Sequence, residues 1–419
     1  MSTAHPAAAS APARVAVVTG VGLAVPGLTL PDELLGTVRD GGFDPATGLV
    51  GRDLRHKDRA SRLALRATAP ALRAAGLFDG DRYTGSGDTT AVVVSTNVGI
   101  LENVCSFADT IARDTVLGLS PLGLPQTSSN VIAGSVAMAH GLRGPNVTLC
   151  NGPTSGLDAL YWARALIVTG RADTAVVIGV EPTGDIVTKL LGTPALDGAV
   201  ALVLESADRA TERGARIRAT VTGCAREADL AGAVARAGGL TPDLWLTEAA
   251  DDPAGPPAGS VLDPAAGLGA ASGALGVLQA AAAVAHLDTH GGHTVLATCG
   301  GPEGDGVAAV FLTGPDHTPE NPTPDEEECP MTAHTDQAFD AEELRTVVAE
   351  ALELPLDEVT DDARFKEDLE VDSLISLEIA VRVEERYGVK IDESRLAEIG
   401  SFRLVRELIE AELKGASTT

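Results

Sequence analysis

Aromatic side chains are scarce: 7 Phe, 3 Tyr and 2 Trp in 419 residues. Alanine, valine, leucine and glycine must fill the interior, and little is left to build an aromatic-lined pocket or a base-stacking surface. Cations are also few, 31 Lys and Arg against 59 Asp and Glu, for a formal net charge of −28. That balance argues against counterion-releasing contact with nucleic-acid phosphates and against a basic helix lying on a membrane. The cysteines (Cys105, Cys150, Cys224, Cys299, Cys329) are odd in number and lack CxxC spacing, so no disulfide framework or zinc site is legible. Residues 1–12 are rich in Ala and Pro, lack a basic region followed by an apolar run, and are expected to be a disordered terminus rather than a signal peptide. No apolar run approaches the roughly 18 residues that span a bilayer. The expectation is a soluble, cytoplasmic protein.

Charge divides the chain into three. Residues 315–335 hold six acids, no Lys or Arg, and five prolines. Like-charge repulsion and proline's extended preference predict an acidic, semi-extended tether over 315–337. Met331-Thr332-Ala333-His334-Thr335 reads like the start of a second protein, from a natural or an engineered fusion. From Asp336 onward 23 acids face 10 bases, a net of −13. A large domain over 13–314 therefore precedes a small acidic one over 338–415.

Strand-like apolar runs fall at 15–19, 91–95, 147–150, 174–179, 200–205, 244–247, 294–298 and 307–313, as expected of strands buried on both faces. Helical patterns lie between them at 61–75, 129–141, 155–170 and 273–286. This alternation predicts a layered α/β fold. The small domain reads as helices alone, at 341–352, 374–387, 393–399 and 402–413, an all-α four-helix bundle. Gly20-x-Gly22 with Gly27 after the first strand is a weak nucleotide-loop signal, because the third glycine is wrongly spaced and no acidic partner follows.

The most specific motif is Phe365-Lys366-Glu367-Asp368-Leu369-Glu370-Val371-Asp372-Ser373-Leu374, followed by an amphipathic run to Tyr387. Over 338–415 the chain resembles an acyl carrier protein. The resemblance implies a phosphopantetheine arm on Ser373, flanked by Asp372 and Leu374, with Glu370 replacing the family's usual glycine. The residues agree: Ser373 stands at a helix start, where the dipole favours a phosphodiester. Glu378, Glu384 and Glu385 suit that helix to basic partner surfaces. An ordinary N-cap is the plainer reading of Asp372 and Ser373.

In the large domain, Ser129-Asn130-Val131-Ile132-Ala133-Gly134, Gly141-Leu142-Arg143-Gly144-Pro145-Asn146, Ser155-Gly156-Leu157-Asp158-Ala159, Ile178-Gly179-Val180-Glu181 and Gly198-Ala199-Val200 follow one another in order. They resemble the β-ketoacyl synthases, of thiolase-like layered fold. That family uses a cysteine at a helix start and two histidines. Here the corresponding positions read Pro153, Ala250 and Ala266, so no catalytic residue is expected. Cys150 reads as a buried structural thiol at a strand end, three residues before Pro153. The segments 181–198 and 252–260 look short for the family, which puts a complete acyl tunnel in doubt. His286, His290 and His293 share helical spacing, but Gly291 and Gly292 interrupt it, and a polar helix end and turn is expected rather than a metal site.

The resemblance implies a subunit that is not catalytic alone, similar to chain-length factors. It would pair as a heterodimer with an active ketosynthase in bacterial type II polyketide or fatty-acyl synthesis and carry the growing chain on Ser373. The expected further partners are a phosphopantetheinyl transferase, malonyl or acyl transferases, reductases and dehydratases. Two alternatives stay open: a homodimeric scaffold presenting the carrier to tailoring enzymes, and an acyltransferase using Cys150.

Overall fold

The computed structural model describes residues 14–36, 42–51, 54, 57–80, 82–119, 121–248, 255–290, 293–301, 306–315, 341–352 and 401–416, with 356, 359–361, 363–365, 379 and 382–383 between the last two. These residues fall into two compact units, one within Pro12–Pro319 and one within Glu320–Thr419.

In the larger unit ten strands form one mixed sheet. The first five are β1 (Ala16–Ala24), β2 (Thr90–Ser95), β3 (Asn146–Leu149), β4 (Thr174–Glu181) and β5 (Gly198–Ser206). The second five are β6 (Ala219–Glu227), β7 (Leu244–Leu246), β8 (Ser260–Leu262), β9 (Thr294–Gly301) and β10 (Gly306–Thr313). Their order across the sheet is β8-β7-β9-β10-β6-β1-β5-β4-β2-β3. Adding five to each label of the first half yields the second: β3-β2-β4-β5-β1 becomes β8-β7-β9-β10-β6. Directions repeat too, since β5 runs against β1 and β4 as β10 runs against β6 and β9. The halves join where β1 pairs antiparallel with β6, Val17 opposite Thr220 and Val18 opposite Ala219. The unit is an internally duplicated α/β fold.

Two helices, α4 (Ser155–Val168) and α7 (Leu275–His290), follow the third strand of their respective halves and occupy equivalent places. Both are apolar nearly all round and buried, as helices packed against strands of both halves of the sheet require. They cross at backbone distance: a Cβ on Gly156 would lie 2.5 Å from the Gly276 nitrogen. On the outer face of the first half, α1 (Arg59–Ala74) is capped by Asp58, whose carboxylate accepts from the Ser61 N–H at 2.9 Å. Gly20 and Gly22 lie inside β1, where a Cβ would meet the carbonyl oxygens of Ala71 and Ala67 on α1. The glycine pair is a close-approach surface for a helix, not a nucleotide loop.

The expected strands and middle helices are present, with α7 running on to His290. Several elements escaped sequence reasoning, among them β6, β8 and the helices at Leu101–Asp114, Asp185–Leu191 and Leu230–Arg236. Strand β6 alternates no clear apolar pattern, and α2 (Leu101–Asp114) has no buried residue at all. Further helices are α3 (Val131–His140) and α5 (Asp185–Leu191) in the first half and α6 (Leu230–Arg236) in the second, with short helical turns at Pro45–Gly48 and Ala207–Glu212.

His140 ends α3 half-buried against Phe78, ring centroids 5.3 Å apart, and its Nε2 has no hydrogen-bond partner. Burial first, and Arg73 second, lower its pKa to about 4. The folded state therefore disfavours a proton that the unfolded chain binds below pH 6.5. Stability from this site is intact above that pH and is lost as pH falls toward about 4, on the order of 2–3 kcal/mol. Between about pH 7 and about pH 4.5, His140→Phe should lose less stability than the parent by that amount, read from urea midpoints; equal losses would contradict this origin.

In the smaller unit α8 (Ala341–Leu352) and α9 (Phe402–Ala416) pack together. Leu344, Val348, Phe365, Phe402, Val405 and Ile409 are buried among the described residues. Arg345 lies over the Phe402 ring at 4.0 Å and pairs with Asp361, which also receives Arg406 at 3.2 Å. No described helix is long and apolar enough to cross a membrane.

Candidate functional site

The first half brings three segments to one end of its strands. β2 runs into Thr96-Asn97-Val98, β3 into Cys150-Asn151, and β4 ends on Glu181. Beyond β3 one tight turn, Gly152–Thr154, leads directly into α4. Gly152 has φ +79°, a left-handed conformation suited to glycine. Pro153 follows at the predicted nucleophile position and is exposed. Proline fits a helix's first turn but has neither a reactive side chain nor an N–H. At position 153 the turn therefore offers neither a reactive side chain nor a backbone N–H.

Its shape is nevertheless locked. The Asn97 amide donates to Gly152 O at 2.8 Å and accepts from Gly152 N at 3.2 Å, reproducing a backbone pair with a side chain. Asn97 Nδ2 also donates to Ser272 Oγ at 2.9 Å, a contact that crosses from the first half to the second. Ser155 Oγ accepts from Asn151 N at 2.6 Å. Beneath, the fully buried Glu181 accepts from the N–H groups of Asn97 (2.7 Å), Val98 (3.1 Å) and Gly273 (2.8 Å) and from Thr96 Oγ1 (3.2 Å). Burial pushes its pKa up and the four donors oppose that. Sequence reasoning singled out none of Asn97, Ser272 or the role of Glu181. The one local signal was a polar pair, Thr96-Asn97, directly after an apolar strand.

Cys150 requires a correction. It is exposed, not buried, because β3 ends at Leu149 and the next residue leaves the sheet. Desolvation and then the Glu181 carboxylate raise its thiol pKa, so exposure is not accompanied by activation. The buried thiol is Cys299 on β9, bonded to Gln279 Oε1 at 3.1 Å and held well above its ordinary pKa by burial, Glu248 and Asp158. Glu248 is itself raised by desolvation and by Asp263. The charges acting on all three groups are carboxylates, the wrong sign to stabilise a thiolate, enolate or oxyanion.

Ala266 lies exposed in a turn that Asp263 organises, accepting from Ala265 N at 2.9 Å. An isolated bridge from Ala195 to Ala270 ties this turn to the first half. Ser272, six residues further on, has φ +41° and reaches Asn97. Ala250 lies outside the described residues. Ser373, Asp372 and Leu374 also lie outside them, as do most of 374–387 and all of 393–399. Ile379 and Val383, one turn apart, are helical and fully buried.

Residues 27–191 match the family described as β-ketoacyl synthase, N-terminal domain, and residues 342–409 the phosphopantetheine attachment site family. The small domain is 49% identical over 83 residues to polyketide-8 synthase acyl carrier protein 2 of Streptomyces avermitilis, covering 20% of this chain and 95% of that one. The large domain is 28% identical over 214 residues to 3-oxoacyl-[acyl-carrier-protein] synthase 2 of Vibrio cholerae, covering 45% of this chain. The match spans about half (51%) of that relative's length. Among solved structures, the ishigamide ketosynthase/chain length factor superposes with a TM-score of 0.56 at 22% identity, over 72% of this chain and 99% of that one. At that identity the likeness speaks for a thiolase-like ketosynthase fold.

Proposed function

The chain joins a β-ketoacyl synthase-family domain to an acyl carrier domain of the phosphopantetheine attachment family, and from that premise we propose that it is a non-condensing subunit which pairs with an active ketosynthase and carries the acyl chain on Ser373. The observation that carries this reading is Pro153: a nucleophile turn preserved in shape, with an imino acid where the nucleophile belongs. The carboxylate surroundings of Cys150 and Cys299 count against relocated thiol chemistry. Phosphopantetheine on the carrier would supply an acyl-bearing thiol, which Pro153 in the large domain cannot. A phosphopantetheinyl transferase would install it, and acyl transferases, reductases and dehydratases would act on the bound chain.

An exposed apolar surface supports the pairing. None of the 14 residues of α2 is buried, Leu117 just beyond it is 90% exposed, and Met138 on the neighbouring α3 is 77% exposed. The Met138 helix α3 packs beside β3, the strand at the edge of the sheet, where a further strand can add. A ketosynthase-fold partner offers both an apolar face and an edge. Co-expression with a cysteine-bearing ketosynthase should yield a one-to-one complex by light scattering. Leu117→Asp should weaken that complex at least about tenfold, as removal of an apolar anchor does. A homodimer indifferent to the ketosynthase would instead support the scaffold reading.

A further inference from the structure

At the far end of α7 a histidine cluster has no part in the site above. The helix continues through His290, so His286 and His290 stand one turn apart on one face. Their rings are stacked, centroids 4.8 Å apart and planes 17° from parallel. Thr289 determines which nitrogen of His290 is free. Its hydroxyl lies 2.7 Å from Ala285 O, to which it can only donate, and 2.7 Å from His290 Nδ1. A hydroxyl has one proton, so His290 Nδ1 must be the donor to Thr289, leaving the Nε2 lone pair available. Metal-bound histidines are held in this way, through a hydrogen bond from the other ring nitrogen.

An anionic group stands beside them. Asp243, in the turn before β7, accepts from the backbone N–H groups of His293 (2.7 Å) and Thr294 (2.9 Å) and lies within electrostatic reach of His286. Among the described residues no three His, Cys, Asp or Glu side chains converge on one point. The ligand set is therefore the imidazole pair, with water in the remaining positions. We propose that His286 and His290 bind one divalent transition-metal ion of the zinc, nickel or copper type, with Asp243 supplying opposite charge nearby. Two histidines at i and i+4 on one helix face are a recurrent zinc-binding spacing. Imidazole selects these ions over calcium and magnesium, which require oxygen ligands. An ion bridging the two imidazoles clips the last turn of α7.

The test uses the full chain, stripped of metal with a chelator and titrated calorimetrically with nickel(II) and, separately, zinc(II). One ion is expected to bind in the micromolar range and to raise the melting temperature. His290→Gln, at an exposed position, should melt normally without metal, lose about tenfold or more in affinity, and lose the metal-induced shift. His286→Ala should do the same. Affinity no better than millimolar, or micromolar binding unchanged in His290→Gln, would overturn the proposal.

Discussion

Ser373→Ala is expected to abolish attachment of phosphopantetheine completely, while leaving the melting behaviour of the chain unchanged. The family match over 342–409 and the 49% identity to an acyl carrier protein place the attachment motif in this domain. Ser373 is the serine that precedes its apolar-periodic run in the sequence. Further along that run, Ile379 and Val383 are buried in helical backbone. A helix start favours a phosphodiester in the field of the helix dipole, which is what the sequence expects at Ser373. The measurement is intact mass after incubation with coenzyme A and a phosphopantetheinyl transferase. The parent should gain one phosphopantetheine and Ser373→Ala none. Continued labelling of the variant would move the attachment point elsewhere. Ser401, at the start of α9 and only 8% exposed, serves as the contrasting position: Ser401→Ala should still be labelled.

Arg213→Ala should produce the largest loss of stability of any single change considered. Glu205 on β5 is completely buried at the centre of the sheet. It accepts from Thr19 Oγ1 at 2.6 Å and from Arg213 Nε at 2.8 Å, and Arg213 NH2 pairs with its second oxygen. The same guanidinium donates to Ala75 O at 2.6 Å, just past the end of α1. Truncating the arginine leaves a buried carboxylate with one hydroxyl for company, a change that costs about 3–5 kcal/mol. Both tryptophans, Trp162 and Trp245, lie in the large unit, so their fluorescence reports its unfolding without interference from the carrier. A urea midpoint shift of under about 1 kcal/mol would show that the carboxylate finds water or a proton instead. Replacing Glu205 and Arg213 together by apolar residues of similar volume should recover most of the loss, since neither charge is then stranded.

Much of the architecture was legible because it depends on residues close together in the chain. Apolar runs such as Ala175–Val177 form strands buried on both faces, and the small-residue run Ala280–Ala285 forms a helix buried all round. Both carry their burial in their composition. The described carrier helices α8 and α9 showed the same periodicity in sequence as in space. Pro153 could also be assigned without coordinates, because a cyclic imino acid excludes a nucleophile and an N–H wherever the chain places it.

The remainder depended on groups far apart in sequence. β6 has a half-polar pattern and is a strand because β1 and β10 flank it with unpaired backbone groups. The duplication of the strand order is a fact about hydrogen-bonded neighbours. Cys150 was misjudged because an apolar strand was extended one residue too far, and one residue past a sheet edge separates burial from exposure. The lock on the Pro153 turn links Asn97 to Gly152 and to Ser272, and Glu181 to Gly273. Sequence alone therefore determined which segments are apolar enough to be buried and which chemistry position 153 lacks. The tertiary structure decided which polar atoms meet, because a hydrogen bond needs two groups within about 3 Å, and pairs separated by scores of residues share no local signature.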